Sequence, residues 1–337
     1  MVPLSVLDLS PVTSGSSGAQ ALRNSLDLAE LADRLGYTRY WLAEHHNLAS
    51  IASAAPEIMI GQIAARTRQL RVGSGGVMLP NHAPLMVAER FKVLEALFPG
   101  RIDLGIGRAP GTDPVTSLAL RMRQQGGADD DFLERLQELL LLEQKGYPED
   151  HPFRTVQAMP SDVRLPPIWL LGSSDYSAQL AAAIGAGFAF AHHFAMHDAV
   201  AAVRFYREHF RSSALRDKPH AILAVAVVCA DTPEEAERLA TTPDLNALRR
   251  SRGEYLPFPS PDEAAAYPYT PADREKIRRN RDRLFVGTGQ HIVDRLMPLI
   301  EAANADEVMI TTTIYEHPAR KRSYALLAEA FGVSGCA

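Results

Sequence analysis

Cysteine is almost absent from this sequence. The two that occur, Cys229 and Cys336, stand far apart and form neither a C-x-x-C pair nor a zinc-ligand spacing. A reduced, cytoplasmic protein is the simplest expectation. Long apolar runs are missing as well, and none is long enough to span a bilayer. The opening MVPLSVLDLSPV lacks a basic segment and carries Asp8 within its apolar run, so it reads as a strand and not as a signal peptide. There is no basic excess. The net charge is −5 with both signs interspersed, which argues against a nucleic-acid binder. No H-E-x-x-H helix accompanies the histidines, and GIGRAPG (105–111) does not match the G-x-G-x-x-G dinucleotide fingerprint.

What is present is a repeating unit. With 46% hydrophobic and 22% charged residues, the chain has the make-up of a soluble, well-cored protein. Its 337 residues suit two domains or one large α/β barrel with insertions. PLSVLDL (3–9) is followed by a helical pattern over 18–36, opened by the S-x-x-Q spacing of Ser17 and Gln20 and closed by Gly36. Further strand-like runs lie at 38–44, 70–79, 101–107, 167–172, 187–193, 221–230 and 306–313, most with a helical partner. Eight βα units predict a closed (β/α)₈ TIM barrel ahead of an open doubly wound sheet. The reading is therefore a single barrel domain over 1–337, with loop insertions at about 109–165 and 243–285. The first insertion holds its own helix, DFLERLQELLLLEQ. The second is rich in Pro and Arg, and is read as an irregular loop, either a lid or a plain surface excursion.

Chemistry gathers where strands end. YWLAEHHN (40–47) places Glu44, His45 and His46 at the rim after the second strand, and strand alternation puts Glu44 and His45 on opposite sides. They are either site residues or loop histidines bonded to carbonyls. Gly73, Gly75 and Gly76 interrupt the third strand, marking a bulge or the close approach of a flat ligand. Arg108, just past Gly105 and Gly107, is a fork for phosphate or carboxylate, or else half of a salt bridge. Ser173 or Ser174 should cap the next helix, with Ser177 one turn on. That start is either a simple N-cap or an anion site.

WLAEHH, VGSGGVMLP, RIDLGIGRAPG, GSSDYSAQLA and FVGTGQHIVDRL, in this order, resemble the luciferase-like flavin monooxygenase family. The resemblance implies the (β/α)₈ barrel and a reaction of reduced FMN and O₂ with a small organic substrate. By position, His45 matches an acid–base histidine and Glu44 belongs to the same signature. Gly75–Gly76 match a small-residue pair joined by a cis peptide under the flavin ring, where luciferases have Ala–Ala. Arg108 matches a phosphate-binding arginine, and Ser174 and Ser177 match hydroxyls of that phosphate site. Ser173 falls where luciferases have glutamate. No role carries over to His82, His192 or His193, all near predicted strand ends. Lacking a dinucleotide fingerprint, the chain is expected to receive reduced FMN from a separate flavin reductase. A homodimer through helices flanking the second and third strands is implied by the family alone. Three alternatives stand beside this reading. They are an F420-dependent oxidoreductase of the same fold, a non-catalytic flavin-binding protein, and a metal-dependent hydrolase using His45, His46 and His192–His193.

Overall fold

A computed structural model describes residues 2–109, 111–121, 131–144, 146–333 and 335; Cys336 lies outside them. The strands are β1 (Leu4–Asp8), β2 (Arg39–Leu42), β3 (Arg71–Ser74), β4 (Val77–Met78), β5 (Ile102–Gly107), β6 (Ile168–Gly172), β7 (Gly187–Ala191), β8 (Ala221–Cys229), β9 (Leu284–Gly287) and β10 (Glu307–Thr311). Helices α1 (Gly18–Leu35), α2 (Pro56–Arg66) and α3 (Pro84–Leu97) follow the first strands, and α4 (Pro114–Arg121) and α5 (Phe132–Gln144) fall between β5 and β6. Next come α6 (Asp175–Ile184) and α7 (Ala199–Glu208), and then α8 (Pro233–Arg250), α9 (Pro261–Ala266) and α10 (Pro271–Asn280) between β8 and β9. The chain ends with α11 (Gly289–Ala303) and α12 (His317–Ala330).

Eight strands form a closed parallel ring. β1, β2, β3, β5, β6, β7 and β8 pair in turn, and β10 pairs with both β8 and β1, with Val6 opposite Ile310. This is the (β/α)₈ barrel. The run at 70–79 is two strands, β3 and β4, divided at Gly75–Gly76, whose peptide is cis. β9 extends the sheet beside the far end of β8.

Local signals act as their chemistry requires. Ser17 accepts from the Gln20 backbone N–H at 3.2 Å, but the Gln20 side chain turns to Asn24, so only half of a capping box forms. Gly36 ends α1 with φ 86°. The segment 243–285 differs from the irregular loop expected. Pro261 and Pro271 occupy first turns of helices, where a missing N–H costs nothing, and capping boxes Ser260/Glu263 and Thr270/Asp273 fix both starts. Two of the prolines that suggested a loop therefore open helices.

Inward-facing residues divide the barrel interior into two zones. At the N-terminal ends of the strands, Asp103 accepts from Arg39 at 2.8 Å, Arg71 at 2.6 Å, Trp41 at 3.2 Å and Trp169 at 3.4 Å. Glu307 accepts twice from Arg39 at 3.0 Å, and from Ser5; its other carboxylate oxygen lies 3.2 Å from His220. Above this cluster lie Leu7, Trp41, Trp169, Ile222 and Met309. The larger core lies outside the ring, between strands and helices. Asp8, unexpected in an apolar strand, points there too and is held by Arg320 at 2.6 Å and Tyr40 at 2.5 Å.

Replacing Asp103 by Ala strands Arg39 without one of its buried partners. We expect a loss of about 3–5 kcal/mol in urea denaturation followed by tryptophan fluorescence, against a change within about 0.5 kcal/mol for Glu275→Ala on the surface of α10. Equal midpoints for the two variants would remove the claim that the cluster supports the barrel floor.

Candidate active site

At the C-terminal ends of the strands the inward positions turn small. Ala43, Gly75, Gly76, Gly107, Ala189, Ala191, Ala224 and Ala226 leave a cavity of about 840 Å³. Its wall includes His45, Arg108, Ser173, Ser174, Ser177 and His193. The structure thus brings together residues from the ends of β2, β3, β5, β6, β7 and β8. A pocket of that size, mostly apolar with a few polar groups, is what a small-molecule or cofactor site requires.

The two histidines of EHH face opposite ways. Glu44 and His46 lie on the outer side, with His46 Nε2 2.7 Å from Glu44 Oε1. Glu44 is also 2.9 Å from His82 Nε2 and accepts from the Met78 backbone N–H at 2.8 Å. Burial raises its pKa, but the bonds from His46, His82 and Met78 outweigh burial and bring it down to about 2. Glu44, grouped with His45 by the sequence, does not line the cavity; it clamps the loop after β2 to β4 and to the residue that ends the turn beyond it. His46 and His82 are its partners. His45 remains on the cavity side, its backbone N–H tied to Ser53 O at 2.9 Å.

His45 Nδ1 is buried and has no hydrogen-bond partner. Burial, followed by the charge of Arg250, lowers the pKa of this imidazole to about 4. His193 is fixed differently. Its Nδ1 lies 3.2 Å from the carbonyl of Ala224, so Nδ1 carries the hydrogen and Nε2 is left as an acceptor. Burial brings its pKa to about 4 as well, against the opposing pull of that carbonyl. His192 is absent from the cavity wall.

The glycines answer to the protein as well as to any ligand. A Cβ on Gly75 would stand 2.6 Å from Leu7 Cδ1, and one on Gly76 would stand 2.8 Å from the carbonyl of Gly105. At Gly76 the obstacle is backbone and at Gly75 it is the Leu7 side chain, which would have to shift; with glycine at both, bare backbone forms the cavity surface. Gly172 has a similar role, because a Cβ would lie 2.1 Å from Ser177 Oγ. Ser174 occupies the N-cap position of α6, yet its side chain makes no capping bond. Ser177 donates instead to Ser174 O at 2.7 Å. The hydroxyl of Ser174 and the first N–H groups of α6 are therefore not consumed by a side-chain cap. The Arg108 guanidinium stacks over Tyr176, 4.6 Å from the ring centroid.

Sequence reasoning missed one wall. Arg250, Lys276, Asn280 and Arg283 come from the segment read as a loop, and they line the cavity. Its content of basic residues was visible, but their facing depends on how α8 and α10 pack. Among the described residues no group of three or more His, Cys, Asp or Glu is placed to hold a metal ion, and no helix is long and apolar enough to cross a membrane.

The family model for luciferase-like monooxygenases matches residues 2–307. The chain belongs to the luciferase-like monooxygenase family. One relative, a luciferase-like monooxygenase of Escherichia coli (strain K12), is 42% identical over 96% of this chain and 96% of its own. An N-acetyl-S-alkylcysteine monooxygenase of Bacillus subtilis (strain 168) is 34% identical over 98% of each chain. The crystal structure of apo-MsnO8 superposes with a TM-score of 0.90 at 39% identity, covering 99% of both chains. Two more distant structures share the fold. One is the oxygenating constituent of 3,6-diketocamphane monooxygenase in complex with FMN, with TM-score 0.70, 20% identity and coverage of 98% and 97%. The other is an F420-dependent secondary alcohol dehydrogenase, with TM-score 0.69, 11% identity and 98% of both chains. Luciferase-like folds thus accommodate FMN or F420.

For this member of the family, the half-buried imidazoles of His45 and His193 set a dependence on pH. In the unfolded chain each titrates near 6.5, and in the folded protein near 4. Between those values the unfolded state binds more protons, so the contribution is complete above pH 6.5 and is lost as pH falls towards 4. Each imidazole is expected to contribute roughly 1–3 kcal/mol. Urea midpoints at pH 7.5 and pH 5 should differ less for His45→Gln and for His193→Gln than for the parent. An unchanged difference would show that these imidazoles titrate as exposed ones do.

Proposed function

We propose that this protein is a monooxygenase that combines reduced FMN, O₂ and a small organic substrate, with reduced FMN delivered by a separate flavin reductase. The observation that carries the reading is one apolar cavity with an anion cradle on one wall and a deprotonated imidazole on another. The residues fit the flavin. Arg108, Ser173, Ser174, Ser177 and the N-terminus of α6 offer a cation, hydroxyls and backbone N–H groups to a phosphate. The bare backbone of Gly75–Gly76 offers a flat surface for a ring.

When bound and reduced, FMN supplies the electrons and the reaction with oxygen. The chain supplies the surroundings. Leu7, Ile106, Leu171 and Met309 keep water from the reacting centre. His45, neutral at pH 7, is ready to accept a proton and return it, and its unpartnered Nδ1 leaves either tautomer open. His193 offers a fixed acceptor nitrogen to a donor on flavin or substrate. Glu44 acts through position, holding the loop from which His45 projects.

The second reading, an F420-dependent hydride transfer, is favoured by the fold shared with the F420 enzyme; the absorption spectrum of the cofactor retained by the purified protein separates the two. We also propose a homodimer. Ile58 on α2 and Met86, Val93 and Leu97 on α3 are all about half exposed or more, a cluster of apolar side chains on the helices after β2 and β3.

The phosphate grip is tested by Arg108→Ala. FMN affinity should fall by about 10–100-fold while riboflavin, which lacks the phosphate, binds as before. Equal losses for both would refute the role. For His45→Ala, FMN binding should persist. Product formed from the best-coupled compound among aldehydes, sulfonates and aromatics should drop by about 10²–10⁴-fold, with hydrogen peroxide released in its place. If His45→Ala keeps parental coupling, or His46→Ala damages it more, the proton-handling assignment is wrong.

A further inference from the structure

The cavity carries more positive charge than the phosphate cradle accounts for. Arg108 belongs to the cradle. Three further cations, Arg250, Lys276 and Arg283, reach the cavity from α8, α10 and the turn before β9. Arg283 is tied down, donating to the carbonyl of Ala195 at 2.8 Å. Asp244, the one carboxylate on the wall among the described residues, is already gripped by Arg281 through bonds of 2.8, 3.0 and 2.7 Å. Arg250 and Lys276 are different. Among the described residues neither side chain has a hydrogen-bond or ion-pair partner, and both are exposed at the cavity wall. After desolvation, Arg250 is the strongest influence on His45.

We propose that Arg250 and Lys276 form an anion subsite on the wall of this cavity, and that the organic substrate is an acid, carrying a carboxylate or sulfonate on an apolar body. The inference rests on the flavin reading above only in taking Arg108 and the serines as the phosphate grip. Two unneutralised cations on the edge of an apolar pocket lower the cost of bringing a negative charge to its mouth. They also draw organic anions in by long-range attraction. The apolar wall then holds the body of the substrate, and the charge fixes which end enters first. A neutral compound of the same shape gains the apolar contacts but leaves both cations unpaired.

The test is calorimetric binding to the cofactor-loaded protein, with N-acetyl-S-benzylcysteine against its methyl ester and octanesulfonate against octanol. Each acid should bind about 10–100-fold more tightly than its neutral partner, and the advantage should shrink at high salt. Arg250→Gln with Lys276→Gln should abolish the preference, and Arg250→Lys should keep most of it. Because both side chains are exposed, the variants should melt as the parent does. FMN affinity of the double variant should stay within about twofold of the parent. Equal binding of acid and neutral compound, binding of neither, or a preference that survives the double variant overturns the proposal. So does a loss of FMN affinity in the double variant, which would move the phosphate to these cations. Should the protein retain F420 and not FMN, the flavin reading fails, while the same comparison on F420-loaded protein still decides the subsite.

Discussion

A closed ring of eight strands has a fixed interior, and everything this protein offers depends on how that interior is filled. Large and charged side chains occupy one end. Trp41 and Trp169 meet edge to face, with ring centroids 5.4 Å apart, over the Asp103–Arg39–Glu307 cluster. Small residues occupy the other end, and the space they leave is the cavity. Ion pairs removed from water are weak evidence for stability in general, because desolvation offsets the attraction. Here nearly every carboxylate oxygen in the floor has a donor, so the cluster works as a rigid plug more than as a source of free energy.

The same logic explains the glycines. Gly73, Gly75, Gly76 and Gly105 stand where strands β3 and β5 press against one another and against Trp41 and Leu7. A floor built from tryptophans demands glycine beside it. The bare backbone above is then available as a flat surface. Packing accounts for these glycines, so by themselves they do not reveal a ligand.

Electrostatic placement divides the EHH triplet. Glu44 is buried, yet remains ionised because His46, His82 and the Met78 N–H surround it. His45, one residue along, is governed by desolvation first and by the charge of Arg250 next, and so stays neutral. Adjacent residues end in different charge states, one anionic and one neutral, because strand alternation sends them to opposite sides of one wall. That wall is where the fold turns a sequence motif into a charged clamp and a neutral imidazole.

Much of the architecture was legible. Eight apolar runs with helical partners put the barrel ahead of an open doubly wound sheet, and the pairing of β10 with both β1 and β8 closes it. Ser17 and Gly36 marked α1 because caps act within a few residues of themselves. Arg108, Ser173, Ser174 and Ser177 could be placed at strand ends by counting, and their meeting in one cavity follows from the ring. Other features depended on contacts far apart in sequence. Prolines 261 and 271 are an exception, because their capping boxes Ser260/Glu263 and Thr270/Asp273 are local and legible, and composition alone suggested a loop. Glu44 could not be separated from His45 until Met78 and His82 were seen around it. Arg250 and Lys276 became cavity residues only because α8 and α10 pack across the barrel mouth. Periodicity and capping are local, so the sequence by itself determined the repeating βα units and their order. Burial, pairing and facing are sums over distant neighbours, so only the tertiary structure decided which side chains meet.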